Sequence, residues 1–329
     1  MNKRVYGVIG ISSKMANWNA DFTGYPKTTS EGEIFGSDKA LKYPMKKIWD
    51  ENGEKVLYIK SMTLLSKEDK KTKAKEVLLV PMTLKQRYEL LFNIEDMKKV
   101  KDQTEVYKNL FNAIDVKNFG ATFAEEGNNI SITGAVQIGQ GLNKFDEAVP
   151  EEQQILSPFR DSKDLEKKER AKKNDDDEIE EAKNSSLGTK IVTREAHYFY
   201  SFSINPLAYK DYKNLGFTEG YTEEDYEKFK EAALVSTTAY ATNSKFGCEN
   251  EFALFVETEK DLYIPELSEF IKFEKRKDKG LILVTCGKLL SSLGEKVKSV
   301  EIYYNPYTTI IESDIEGAKI LDIFTKQEV

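Results

Sequence analysis

Between Asp161 and Asn184 the chain is almost entirely Lys, Glu, Asp, Arg and Asn, relieved by a few Leu, Ile and Ala. Such a stretch cannot bury enough apolar surface to offset the entropy of ordering it, so the pattern predicts a solvated arm, a solvated helix or disorder. It stands mid-sequence, with patterned segments on both sides. The composition changes sharply after Asn143. The 329 residues are enough for one large domain or two ordinary ones.

The pattern on either side is strand-rich. Val5 to Ser12 is a β-branched run punctuated by Gly7 and Gly10, a buried strand by type. From Ser13 to about Gly36 the sequence turns to Asn, Asp, Gly, Pro, Thr and Ser, a long irregular loop of the kind that is usually either functional or disordered. Ser37 to Trp49 is spaced as a helix in which Pro44 needs the first turn or a kink. Lys55–Ser61 and Glu76–Pro81 are predicted strands around the lysine-rich hairpin Lys67–Lys75, followed by helices over Lys85–Phe92 and Glu105–Phe111. Phe119–Glu125 and Ile130–Gln137 alternate across Gly127-Asn128-Asn129, a hairpin signal.

After the charged insertion, Ala196–Ile204 is an aromatic-rich strand, and Glu223–Thr242 is an amphipathic helix opened by Thr222 and Asp225. Phe252–Thr258, Leu281–Thr285 and Val300–Tyr304 are further strands, with a helix near Lys288–Leu293. The order strand, helix, strand, strand, strand, helix, strand, with two insertions, is like the split βαβ plan of ferredoxin-like and RNA-recognition folds, an α+β class.

Composition narrows the chemistry. Cys248 and Cys286 have no CxxC partners, which argues against a disulfide framework or zinc site and for a reducing cytosol. No apolar run is long enough for a bilayer, and the run after the N-terminal basic pair is too brief for a secretory signal, so a cytoplasmic protein without a membrane partner is expected. The net charge of −7 is unfavourable to phosphate binding as a sum, but residues 1–60 hold ten basic against seven acidic side chains.

Three constellations could carry function. Ser13 to Asp21 combines Lys14 with the amides of Asn17 and Asn19 and the ring of Trp18, which together could hold a phosphate and stack a base. Its bland alternative is an Asx-rich turn that satisfies its own backbone. Lys39, Lys42, Lys46 and Lys47 crowd one short helix, either as a phosphate site or as a solvated basic face. His197, the only histidine, is a possible general base, but more often such a residue is a hydrogen-bonded strand position; no second histidine completes an acid/base pair. The acidic run Asp175–Glu178 is better explained by solvation than by Mg²⁺, and Gly139-Gln140-Gly141 lacks the rest of a dinucleotide fingerprint. No catalytic residue, metal site or cofactor is expected.

Four blocks, SSKMANWNADFTGYP (12–26), GSDKALKYPMKKIW (36–49), FGATFAEEGNNISITGAVQIGQ (119–140) and LGTKIVTREAHYFYSFSINP (187–206), together with residues 232–257, resemble the repeated backbone subunit of the type I CRISPR effector Cascade (the Cas-seven family), closest to its type I-B branch. The resemblance implies a modified RNA-recognition-motif (ferredoxin-like) palm of residues 1–13, 106–142 and 191–329. It adds fingers over 14–105 and a charge-rich, partly flexible thumb over 143–190. It implies subunits that stack on neighbouring copies along a CRISPR guide RNA, beside other Cascade subunits, and present bases to a target DNA strand. Base pairing then reads sequence while protein grips the backbone. Carried over by position, the RNA-facing residues are Lys14, Asn17, Trp18, Asn19, Lys39, Lys42, Lys46, Thr133, Gln137, Lys190, Arg194 and His197. The chain departs from the family pattern at Trp18-Asn19-Ala20-Asp21, where related branches carry Pro-Asn-Gly-Asp, and at Ala135, where proline is common. A rival is a metal-dependent endoribonuclease like the type III backbone subunit, with Asp21 nearest the catalytic position; another is a generic single-strand-binding protein.

Overall fold

A computed structural model of the chain describes residues 1–68, 75–156 and 186–329. Its strands are β1 (Lys3–Ala16), β2 (Phe35–Gly36), β3 (Met62–Glu68), β4 (Lys75–Pro81), β5 (Gly120–Phe123), β6 (Ile130–Thr133), β7 (Val136–Asn143) and β8 (Pro150–Leu156), then β9 (Ser186–Ile204), β10 (Cys248–Glu259), β11 (Ile271–Lys275), β12 (Gly280–Val284), β13 (Val297–Tyr304), β14 (Thr309–Ser313) and β15 (Lys319–Asp322). The helices are α1 (Asp38–Glu51), α2 (Leu84–Phe92), α3 (Gln103–Phe111), α4 (Ile114–Phe119), α5 (Lys210–Asn214), α6 (Glu223–Ala239) and α7 (Gly287–Ser292). The charge-rich stretch Asp161–Asn184 lies outside the described residues.

One large sheet organises the molecule, in the order β15-β13-β10-β1-β9-β7-β2, with β8 also paired to β9. At its centre β10, β1, β9 and β7 each run antiparallel to their neighbours. Gly7 and Gly10, which punctuate the apolar run of β1, are there because the neighbours leave no room for a side chain. A Cβ on Gly7 would stand 2.0 Å from the Leu254 carbonyl oxygen and 2.5 Å from the Phe202 ring.

Alternation along the strands gives each sheet face its own core. Val5, Ile9, Ile11, Tyr200, Phe202 and Phe255 pack with Leu41, Met45 and Trp49 of α1 and Phe229 of α6. On the opposite face Val8, Phe199, Phe252 and Leu254 meet Phe273, Ile282, Val284 and Leu290 from a C-terminal lobe. That lobe is the three-stranded sheet β11-β12-β14 with α7.

Local signals explain the helices. Ser37 caps α1 by accepting from Ala40 N, and Pro44 sits buried in mid-helix rather than in its first turn. Thr83 with Gln86 and Thr222 with Asp225 form complete capping boxes on α2 and α6. Sequence and structure part at Lys55–Ser61, predicted as a strand. Leu57 N and Tyr58 N donate instead to the buried Asp115 carboxylate at 2.9 and 2.8 Å, and Arg87 holds the Val56 carbonyl. The strand that pairs with β4 is β3, and the lysine-rich turn between them, residues 69–74, lies outside the described residues. The hairpin predicted through Gln137 ends at Thr133; Gln137 belongs to β7 of the large sheet. The loop predicted from Ser13 begins later, because Lys14 pairs with Glu195 and Ala16 with Thr193 as part of β1.

Candidate nucleic-acid interface

The end of β1 brings together groups from four strands. Glu195 Oε1 on β9 receives Lys275 Nζ of β11 at 2.6 Å, His197 Nε2 at 3.2 Å and Lys14 Nζ of β1 at 3.9 Å. On its other side His197 presents Nδ1 to the Glu251 carboxylate of β10 at 2.7 and 2.9 Å, and its ring stacks on Phe273 at 3.6 Å. Burial by itself would lower the pKa of this imidazole, but the charges and hydrogen bonds of Glu251 and Glu195 outweigh it and raise the pKa above the usual histidine range. The hydrogen bond from His197, with the charge of Lys275, holds the Glu195 carboxyl down to about 2 despite partial burial. Lys14 and Lys275 stay about half exposed, at 51% and 43%. The cluster is thus an ionic clamp between the large sheet and the C-terminal lobe, with two ammonium groups at its solvent edge.

The resemblance puts His197 at the RNA; its side chain is 3% exposed and committed to carboxylates on both nitrogens. Trp18 was expected to offer a stacking face, but it is 1% exposed and donates from Nε1 to Tyr200 OH at 2.5 Å. Lys245 lies over the Trp18 ring and donates to the carbonyls of Asn17 and Trp18. Gly36 and Gly141 leave the space this pair needs, since a Cβ on either would strike the Tyr200 side chain at 1.9 or 2.3 Å. The Gly-Gln-Gly fragment thus lies in a bulged segment of β7 beside Tyr200.

The amides of the loop also serve the loop. Buried Asn17 donates to the carbonyls of Gly24 and of Ile191 on β9, and its Oδ1 has no partner among the described residues. Asn19 Oδ1 accepts from Ser37 N, tying the loop to the start of α1. Asp21 accepts from Thr23 N, Thr23 Oγ1 and Tyr25 N, an Asx turn whose hydrogen bonds from Thr23 lower the carboxyl pKa.

The α1 lysines divide. Lys42 is paired to Asp38 at 2.8 Å and Lys47 approaches Asp50 and Glu51. Lys46 points inward, 3.6 Å from the fully buried Asp115 carboxylate and donating to the Tyr58 carbonyl. Burial pushes its ammonium pKa down, against the pull of Asp115. Lys39 alone of the four is exposed.

Lys190 and Arg194 lie on β9 where it pairs with β8, Arg194 exposed and 3.1 Å from Glu151. They share an end of the sheet with Lys14. Thr133 and Gln137 do not. Gln137 pairs with Ser203, six residues along β9 from His197, roughly 20 Å of strand. There it borders a cavity of about 360 Å³ lined by Tyr6, Ile138, Ser201 and Glu266. Lys245 and Lys275 were not foreseen, because their partners are distant in sequence. Among the described residues no cluster of three or more His, Cys, Asp or Glu is arranged to hold a metal ion, and no helix is long and apolar enough to cross a membrane.

Comparison with known proteins bears on this geometry. The profile of the family described as CRISPR-associated protein Cas7 matches residues 3–284. A solved chain described as "CRISPR RNA-guided surveillance complex, pre-nicking" is similar in fold, with a TM-score of 0.50 at 13% identity over 97% of this chain and 96% of that one. A second, described as "CRISPR RNA-guided surveillance complex", aligns at 12% identity over 92% and 88%, with a TM-score of 0.47. A search among curated proteins finds no match.

Proposed function

The chain belongs to the CRISPR-associated Cas7 family, and on that premise we propose that it is a non-catalytic backbone subunit of a type I surveillance complex, polymerising along a guide RNA. The observation that carries this is the family match across residues 3–284. The central order β10-β1-β9-β7, fourth-first-third-second in chain order, supports reading the sheet as an RNA-recognition palm, with α1 to α4 and α6 in the two crossovers. On this reading residues 14–105 are fingers and 143–190 a thumb, of which the described part is the β8–β9 ribbon.

The guide's sugar-phosphate chain would pass the end of β1, where Lys14, Lys190 and Arg194 share one end of the sheet and Lys39 stands at the start of α1, tied to that end through Asn19. The other amides and Trp18 shape this loop and do not touch RNA. Protein contacts of this kind position a backbone and carry no sequence information, which leaves bases free to pair with target DNA.

The direct test is what accompanies the purified protein. RNA of one discrete, guide-like length, with oligomers that grow as the guide is lengthened, is the expected result. A monomer that retains no RNA, or assembly independent of guide length, overturns the proposal. Complementary RNA offered with Mg²⁺ should remain uncut; cleavage at regular intervals would assign catalysis to this chain.

A further inference from the structure

The C-terminal lobe carries a cationic surface that neither the family reading nor the carried-over residues include. Residues 272–279 hold Lys272, Lys275, Arg276, Lys277 and Lys279 against Glu274 and Asp278, a net of +3 on a chain of net −7. They form the β11–β12 hairpin and its turn. Lys272, Lys275, Arg276 and Lys277 are exposed. Among the described residues Lys272 and Lys277 make no ion pair, and Arg276 has only Glu274 at 3.6 Å. Lys279 is spent on the Pro306 carbonyl at 2.6 Å.

This hairpin is fixed in place. β12 pairs with both β11 and β14, Phe273 is stacked on His197, and Lys275 is bound to Glu195. Glu195 joins it to the end of β1: with Lys14 at 3.9 Å and Lys275 at 2.6 Å from one oxygen, the two ammonium groups stand at most 6.5 Å apart. Lys275, on the strand that leads into the basic turn, therefore stands beside the rim at Lys14.

We propose that the β11–β12 hairpin is a second contact for the phosphodiester backbone of single-stranded RNA, extending the rim at Lys14 through Lys272, Arg276 and Lys277. The proposal rests on the RNA-binding reading above. Its chemistry favours a backbone over a protein partner. The exposed side chains of the turn are all polar or charged and Phe273 is buried, whereas protein interfaces deplete charge at an apolar centre. With no exposed aromatic ring in the turn, contact there is sequence-independent.

The test uses the full chain and fluorescent single-stranded oligoribonucleotides of two unrelated sequences, titrated across a range of salt. Three variants are compared: Lys272→Glu/Arg276→Glu/Lys277→Glu, Lys14→Glu, and a charge-matched control. The control, Lys260→Glu/Lys296→Glu/Lys298→Glu, lies at the opposite end of the sheet, where Lys3 pairs with Glu259 and Val297 with Thr258. A neutral Gln triple at 272, 276 and 277 separates lost contact from introduced repulsion, and a thermal melt of each variant checks folding.

The expected result is a salt slope shallower by about 2 for the hairpin triples, at roughly 0.7 per lost phosphate contact, a tenfold or greater loss of affinity for both sequences, and little change for the control. Hairpin triples that match the control while Lys14→Glu loses affinity would overturn the proposal and leave the family reading standing. Loss of binding to a protein subunit with RNA affinity intact would overturn it as well. If Lys14→Glu is also without effect, the RNA path itself is wrong.

Discussion

Two sets of lysines in this molecule look alike in sequence and behave differently in structure. On α1, Lys42 and Lys47 lie against carboxylates of the same helix and Lys46 reaches the buried Asp115, so three of the four charges are neutralised within the fold. Around Glu195, a single carboxylate is shared by Lys14, Lys275 and His197, and His197 is shared again with Glu251. There the surplus cation faces outward. The difference teaches that a basic run counts toward phosphate binding only after its internal partners are subtracted.

The largest effect should come from breaking the neutralised set. Asp115→Ala strips the acceptor from Leu57 N and Tyr58 N and leaves Lys46 buried without its counterion. A loss of about 3–5 kcal/mol in denaturant unfolding is expected, as for other buried pairs deprived of one partner. A loss below about 1 kcal/mol would mean that Lys46 is effectively solvated, erasing the contrast with Lys14.

Next in size is the clamp. The raised pKa of His197 means its stabilisation is fully present below the unfolded value near 6.5 and is lost as pH rises through the folded value. Glu195, held at about 2, contributes above its unfolded value near 4.5 and loses that contribution as pH falls towards 2. Urea titrations should therefore show stability declining at both ends of the range. His197→Gln should flatten the alkaline limb and keep the acid one, in part, through Lys275. An alkaline limb unchanged by that substitution would remove His197 from the clamp.

How much of this was legible in the sequence depended on distance along the chain. Caps and runs were readable because their physics is local: Thr222 with Asp225, Ser37 ahead of α1, the β-branched run of β1. Lys55–Ser61 reads as a strand in sequence, but its hydrogen bonds go to Asp115, more than fifty residues away. Trp18 was misread for the same reason, since only the fold brings Tyr200 and Lys245 to it. The resemblance supplied the family and named Lys14, Lys190 and Arg194 as RNA-facing, but it also carried over His197, whose side chain the structure turns inward. Nothing in the sequence order ties residues 272–279 to the end of β1; the fold does so by bringing Lys275 to Glu195 and Phe273 to His197.

The smallest effects sharpen the comparison on α1. Lys42→Ala should cost no more than about 0.5 kcal/mol, the worth of an i,i+4 pair, and should leave the RNA salt slope within error. Lys39→Glu, at the exposed position, should flatten that slope by about 0.7. Equal effects from the two would show that the pairing with Asp38 does not withhold Lys42 from solvent anions.

The most direct measurement is the salt dependence of single-stranded RNA binding by the intact chain and by Lys14→Glu, on unrelated sequences of one length. A steep negative slope common to all sequences, shallower by about 0.7 in the variant, is the result expected of a backbone-gripping subunit. A slope that varies with sequence, or one that Lys14→Glu leaves untouched, would contradict it.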